Sequence, residues 1–431
     1  MVRPTLRSLS AGQIDSAFSS VATFVAGLYA VRVFDATTLG AYVVVFTAWN
    51  LARTLPSEMV YTPSEVVAVG HAGQRRIHIL SSSMQRGFLL SLLGAVGVLA
   101  SSLVIHGDIG QQAALALTVT GAAVTIIAPM LDHWRKMFHI AHASWRAAVT
   151  AAAQMVATIV LILVLDGRVH PAWIPFGAIA AGYALSGIVA LLLTTPLMRT
   201  YQGGIERPEW VELSRVGRWL LLANLAAFGS DFVLVLIAKA ALGPDVLGYA
   251  EAARVVARPV IVLGVGLAAV LGPRSVQAGM GPDPQAARSP RRVLWLFSCL
   301  GGLLYLPLVG LDWTLNPLPS ILPNAYAVKG LVAVTIAGAI IFNFALPWWY
   351  ELLGARRQRE LARTEMVASI LKVATGLAAS LLQAFTLPVA WGIAFMARGI
   401  GLDFYARRLF KAGSPGPTEA QGPESRARGD G

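Results

Sequence analysis

Apolar residues run along this chain in blocks of about twenty, each followed by a short polar or basic stretch. A helix of about 20 residues is what a ~30 Å hydrocarbon core requires. The blocks predict twelve spanning helices, at 13–34, 39–61, 87–106, 111–131, 147–166, 172–197, 217–239, 247–271, 293–312, 327–350, 365–384 and 386–406. Gln13, Asp15, Ser16, Ser19 and Ser20 interrupt the apolar run that a cleaved signal peptide would need, so the first block reads as a retained helix facing the interior.

The basic residues orient these helices. Of the 34 Lys and Arg residues, twenty-three fall at or near one set of ends, including Arg75, Arg76, Arg135, Lys136, Arg291, Arg292, Arg356 and Arg357. Only Arg32, Arg168, Lys239 and Lys329 fall at the other ends. Lys and Arg accumulate in cytoplasmic loops. Both termini are therefore expected in the cytoplasm, and a bacterial inner membrane is the expected location. The net charge of +12 mainly reflects this topology. No soluble basic face remains for nucleic acid.

Composition agrees with the pattern: 56% of the residues are hydrophobic, 13% are charged, and the mean hydropathy is +0.64. One cysteine, Cys299, rules out a disulfide within the chain, and no Cys/His cluster has zinc spacing. The histidines of "HIAH" at 139–142 read as part of a solvated loop, and Asp15 as a helix-end residue. Residues 412–431 are Gly-, Pro- and Glu-rich and read as a disordered tail.

The chain is also written twice. "TLGAYVVVFTAWNLARTLP" (38–56) and "VLGYAEAARVVARP" (246–259) share a Leu-Gly, a nearby Tyr, an Ala-Arg and a proline. Leu39-Gly40 and Leu247-Gly248 are 208 residues apart, close to half the chain. The basic stretches 132–148 and 351–364 occupy matching places and read as interfacial connectors. The fold class expected is all-α, a polytopic membrane protein with about twelve transmembrane helices in two pseudo-symmetric six-helix lobes around a central cavity. The lobes would be 1–198 and 217–411, joined by a cytoplasmic linker at 199–216.

Charges inside the spans mark the candidate site. Asp231 lies about 12 Å from the outer end of the seventh span, at 1.5 Å per residue. Glu251, Arg254 and Arg258 follow at i, i+3 and i+7, within about 60° on one helical face. A central Asp or Arg costs roughly 2.5–3.5 kcal/mol on insertion scales, so such residues face a bundle interior or a wet cavity. Arg53, one turn after Asn50, repeats the feature in the first half. The substrate-binding candidates are thus Arg53, Arg254, Arg258 and Asn50. Asp231 and Glu251 are the candidates for charge pairing or ion coupling, with Asp231 expected against Arg254. Arg32 and Lys239 are expected at the cavity rim, and Lys372 and Arg398 to snorkel toward the inner ends. The excess of Arg predicts a cationic cavity suited to phosphate or diphosphate.

With its "LGAY" and "LGYA" openings, two parallel halves and Arg-rich connectors, the chain resembles a Wzx-type polysaccharide flippase, within the superfamily of multidrug, oligosaccharidyl-lipid and polysaccharide exporters. The resemblance spans all twelve predicted helices, on loose motifs. It implies a V-shaped cavity lined by helices one, two, seven and eight. It also implies transfer of a polyprenyl-diphosphate-linked glycan between leaflets by alternating access, with Arg53, Asp231, Glu251, Arg254 and Arg258 at the matching positions. It implies no cofactor beyond a coupling proton or sodium ion, and membrane lipid, glycosyltransferases or a glycan polymerase as partners. The alternative on the same scaffold is a cation-coupled drug or small-molecule exporter. An enzyme such as a glycan ligase or polymerase is disfavoured, because the longest outer loop offers one acid, Asp312, and no histidine.

Overall fold

A computed structural model describes residues 6–71, 75–198, 209–281, 284–311, 316–317, 322–326 and 328–411. The fold is built from α1 (Leu6–Val33), α2 (Ala36–Ala52), α3 (Arg75–Ala100), α4 (Gln111–Ile140), α5 (Ser144–Leu165) and α6 (Ile174–Met198). The second half supplies α7 (Trp210–Leu242), α8 (Pro244–Met280), α9 (Pro284–Tyr305), α10 (Leu331–Gly354), α11 (Gln358–Ala378) and α12 (Thr386–Lys411).

Among the described residues, ten continuous helical stretches are long and apolar enough to cross a membrane. The last of them, Gln358–Phe410, contains both α11 and α12. It breaks at Ala379–Phe385, where Gln383 takes φ 50°. The twelfth span is α2, shortened because its helix changes character at depth. Asp35 caps its start by accepting from the Thr38 amide at 2.8 Å. Beyond Arg53 the chain continues through Thr54–Pro56, a π-helical turn Ser57–Tyr61, and Thr62–Val69. Pro56 has no amide to donate, and the wider turn that follows re-aims Glu58 and Tyr61.

The two halves pack by the same plan. α1 packs on α5 as α7 packs on α11, α5 on α6 as α11 on α12, and α4 on α6 as α10 on α12. Between the lobes, α1 meets α8 and α2 meets α7, the two contacts a pseudo-two-fold axis would exchange. The axis is visible in single residues. A Cβ on Gly40 would lie 2.4 Å from the Pro244 carbonyl oxygen, and one on Gly248 would lie 3.2 Å from that of Ala36. Thr37 Oγ1 donates to Asp245 Oδ1 at 3.2 Å across the same 208-residue interval. The repeated Leu-Gly is therefore the place where the N-terminal ends of α2 and α8 cross backbone to backbone. Tyr326 reinforces this closure by donating to the Phe34 carbonyl at 3.1 Å.

Two expectations from the sequence are corrected here. The stretch 132–148 is not an interfacial connector, because α4 runs unbroken to Ile140 and carries Asp132, His133, Arg135, Lys136 and His139 on a packed helix. The stretch 351–364 shrinks to a turn at Ala355–Arg357, with buried Glu351 still inside α10 and paired to Arg291. Of the expected linker, 199–208 lies outside the described residues, and α7 already begins at Trp210. Asp312 and the tail 412–431 also lie outside them.

Candidate functional site

One cavity of about 680 Å³ lies between the lobes and brings together Asn50, Arg53, Asp231, Glu251, Arg254 and Arg258. These residues come from α2, α7 and α8, which the inter-lobe contacts hold side by side. The apolar wall includes Phe46, Trp49, Phe228, Phe342 and Trp391. Arg32 and Lys239 do not line this cavity. Arg32 is exposed in the last turn of α1. Lys239 is engaged in a tie between lobes, with its ammonium 2.7 Å from Asp108 Oδ2 and 2.7 Å from the Val104 carbonyl. The rim assignment fails because a lysine at that depth reaches carbonyls and a carboxylate at the end of the neighbouring helix.

The pair expected between Asp231 and Arg254 is also absent. Arg254 instead grips Glu251 on its own helix, with Nε and Nη2 donating to the two carboxylate oxygens at 2.7 and 2.9 Å. Such a two-pronged bond satisfies both groups without a second helix. Asp231 Oδ1 accepts from Lys372 Nζ at 2.8 Å and from Trp391 Nε1 at 2.9 Å, tying α7 to α11 and α12. Lys372 does not snorkel: it is 4% exposed and also donates to the Ala227 carbonyl. Arg398 likewise turns inward, to Glu365 at 2.5 Å. Lipid-facing rotamers would leave half-buried Asp231 and buried Glu365 without cations, which is the costlier arrangement.

The first lobe contributes a network whose members the sequence divides between a helix end, a connector and a loop. Asp15 is buried, 2.9 Å from His139 Nε2 and 3.6 Å from Arg135. Arg135 continues to Asp132 at 2.7 Å, and Asp132 to Arg53 at 3.6 Å. Glu65 takes Lys136 at 3.0 Å and His133 Nδ1 at 2.9 Å, while His133 stacks on Tyr61 with ring centroids 4.5 Å apart. Asp15 is therefore not a helix cap, nor is His139 a solvated loop residue. A signal was present, since Asp132, Arg135, Lys136 and His139 recur at i, i+3, i+4 and i+7, the same one-face spacing as Glu251, Arg254 and Arg258. It was obscured because a basic stretch at an inner end also satisfies the loop rule.

The charge balance differs from the expectation of a cationic cavity. Its lining holds seven carboxylates, Asp15, Glu58, Glu65, Asp132, Asp231, Glu251 and Glu365. It also holds seven cations, Arg53, Arg135, Lys136, Arg254, Arg258, Lys372 and Arg398. Six of the cations have an acid at ion-pair distance. Among the described residues Arg258 has none, and its buried Nη1 makes no hydrogen bond. It lies beside the Phe46 ring, 5.7 Å from the centroid, with Arg254 at 4.3 Å over the same ring. Phe46 thus offers its π-electrons to both guanidiniums, which offsets part of the cost of holding two like charges near each other. Nor do the described residues contain any cluster of His, Cys, Asp and Glu suited to a metal.

This two-lobe, twelve-helix arrangement around a central cavity is the fold of multidrug-resistance MATE transporters of the MOP superfamily. One solved example, an inward-facing MATE family multidrug transporter, superposes with a TM-score of 0.68 at 13% identity, covering 91% of this chain and 95% of that one. An outward-facing structure of such a transporter gives 0.65 at 15% identity over 94% and 96%. A MOP superfamily transporter from Pyrococcus furiosus, described as having a binding pocket of reversed polarity that suggests a different function, gives 0.61 at 14% over 94% and 95%. No protein-family model and no curated protein matches the chain by sequence. The chain is therefore a multi-pass membrane protein of this fold.

Proposed function

We propose that the chain is an alternating-access exporter for amphipathic organic solutes that carry a single anionic group. The observation that carries this reading is Arg258, a guanidinium without acid or hydrogen-bond partner, facing a cavity that both lobes build. A carboxylate or sulfonate placed there gains a charge-assisted bond that the protein itself does not supply. Phe46, Trp49, Phe342 and Trp391 give the apolar part of the solute flat faces to stack on. The crossing of α2 and α8 at Gly40 and Pro244 closes the outer side, and rocking 1–198 against 217–411 would open it. With the basic loops in the cytoplasm, an inside-negative potential assists expulsion of an anion by ~2.3 kcal/mol per charge per 100 mV. Asp231 with Lys372 and Asp15 with His139 are where a coupling ion would act.

Flipping of a polyprenyl-diphosphate-linked glycan is the second reading. A diphosphate calls for at least two free cations, and acids already hold six of the seven. One feature favours this reading all the same. Arg53 is held loosely, 3.6 Å from Asp132 with 37% of its side chain exposed, and could turn toward a second phosphate. The discriminating experiment compares a strain lacking the gene with one expressing Arg258→Ala, scored for solute efflux and for surface glycan. The exporter reading expects efflux of anionic amphiphiles to be lost in both, with glycan intact. Loss of glycan with unchanged efflux would replace it by the flippase, and normal efflux from Arg258→Ala would remove Arg258 from the mechanism.

A further inference from the structure

A second concavity, of about 480 Å³, lies at the inner end of the other lobe and is lined by Pro284, Gln285, Arg288, Arg291, Arg292 and Trp295. All six belong to the first three turns of α9. The three arginines are not equivalent. Arg291 is committed to Glu351 and packs over the Phe410 ring, 5.1 Å from its centroid. Arg288 and Arg292 are exposed and, among the described residues, have neither an acid nor a hydrogen-bond partner. They are four residues apart, so their side chains stand one above the other on one helical face.

That face continues into the membrane. Positions 288, 292, 296, 300 and 304 form one i+4 row, and its last three members, Leu296, Leu300 and Leu304, are 57%, 48% and 68% exposed. Phe297 and Leu303 flank the row and are similarly exposed. In a spanning helix these residues meet acyl chains. Arg292 lies about 6 Å beyond Leu296 at 1.5 Å per residue, the depth at which headgroups begin. Trp295 stands beside that boundary with Nε1 donating to the Phe344 carbonyl at 3.1 Å, an interfacial tryptophan fixed in place.

We propose that this groove binds the phosphodiester of one anionic phospholipid of the inner leaflet, between Arg288 and Arg292, with an acyl chain lying along Leu296, Leu300 and Leu304. Two guanidiniums at headgroup depth provide the charge-assisted bonds, and the leucine row provides apolar contact that a soluble phosphate cannot use. In the first lobe Arg76, in the opening turn of α3, instead spends its guanidinium on the carbonyls of His71, Val69 and Ile140. The site is independent of the solute carried in the central cavity.

The test uses the full chain, purified in detergent and titrated with dioleoylphosphatidylglycerol, dioleoylphosphatidylcholine and inorganic phosphate. Bound lipid is counted by native mass spectrometry. The expected result is retention of one phosphatidylglycerol at concentrations where phosphatidylcholine and phosphate do not bind. Arg288→Gln with Arg292→Gln should weaken that binding roughly thirtyfold, taking about one kcal/mol per cation near a lipid surface as the scale. The double Arg→Lys variant should retain most of it. Equal retention of phosphatidylcholine by the unaltered chain overturns the proposal without reference to any variant. Binding of phosphate as tight as that of phosphatidylglycerol would reassign the groove to a soluble anion, and an unchanged double Gln variant would place the lipid elsewhere.

Discussion

The two walls of the central cavity come from the same six-helix plan and carry different electrostatics. The first lobe presents Asp15, Glu58, Glu65 and Asp132 with Arg53, Arg135 and Lys136, and adds His133 and His139. The second presents Asp231, Glu251 and Glu365 with Arg254, Arg258, Lys372 and Arg398. One wall has an acid in excess and the other a cation. The connectivity differs too. In the first lobe Arg135 bridges Asp15 and Asp132, which in turn reaches Arg53, so that losing one partner leaves another. In the second lobe the pairs are one to one, and Arg258 is left over. The repeat preserves how helices pack, because crossings depend on small residues and backbone. It does not preserve the charges, which arise from α1, α4 and the stretch 53–65 beyond α2 in one lobe and from α7, α8, α11 and α12 in the other.

The largest effect that can test this contrast is Arg258→Ala. Transport of an anionic amphiphile into inside-out vesicles should fall at least about tenfold, the value of one charge-assisted hydrogen bond. The thermal midpoint should hold or rise, because a half-buried cation with an enclosed, unbonded Nη1 costs stability. A lower midpoint at unchanged transport would show Arg258 to be a structural residue.

Next in size is the difference between network and pair. Glu365→Gln leaves Arg398 facing no acid and should cost about 3 kcal/mol, at the lower end for breaking a buried pair. Asp15→Asn leaves Arg135 with Asp132 and should cost about half as much. Thermal unfolding of the two purified variants measures both, and equal losses would mean the first-lobe network provides no redundancy.

A smaller difference separates the paired glycines. Gly40→Ala forces a methyl to 2.4 Å from the Pro244 carbonyl and should destabilise by about 1–3 kcal/mol. Gly248→Ala meets the Ala36 carbonyl at 3.2 Å and should cost well under half of that. Maleimide labelling from the outer side, at a cysteine replacing Val43 in a Cys299→Ser background, should rise for Gly40→Ala alone. Identical labelling of the two variants would deny that this crossing closes the cavity. The smallest change is expected at Lys239→Ala, with less than about 1 kcal/mol lost, as for a partly exposed ion pair, and transport intact.

The periodic apolar blocks and the sidedness of the arginines determined the twelve helices and their parallel halves, since both follow from the cost of placing backbone and charge in hydrocarbon. The 208-residue repeat marked the two Leu-Gly steps as equivalent, and the packing made them the crossing of α2 and α8. The sequence also marked Asn50, Arg53, Asp231, Glu251, Arg254 and Arg258, because a charge in mid-span must face inward and these six share one cavity.

Tertiary structure alone decided the partners. Asp231 and Arg254 are near in sequence, yet the carboxylate chose Lys372, 141 residues away, and the guanidinium chose Glu251 within its own helix. An ion pair is selected by distance and direction in space, which helical spacing constrains only within one helix. The same reason moved Asp15 and His139 from the margins to the interior and brought the formal charge of the cavity to balance. Hydrophobic periodicity fixes which segments enter the membrane; only the packing of those segments fixes which charges meet.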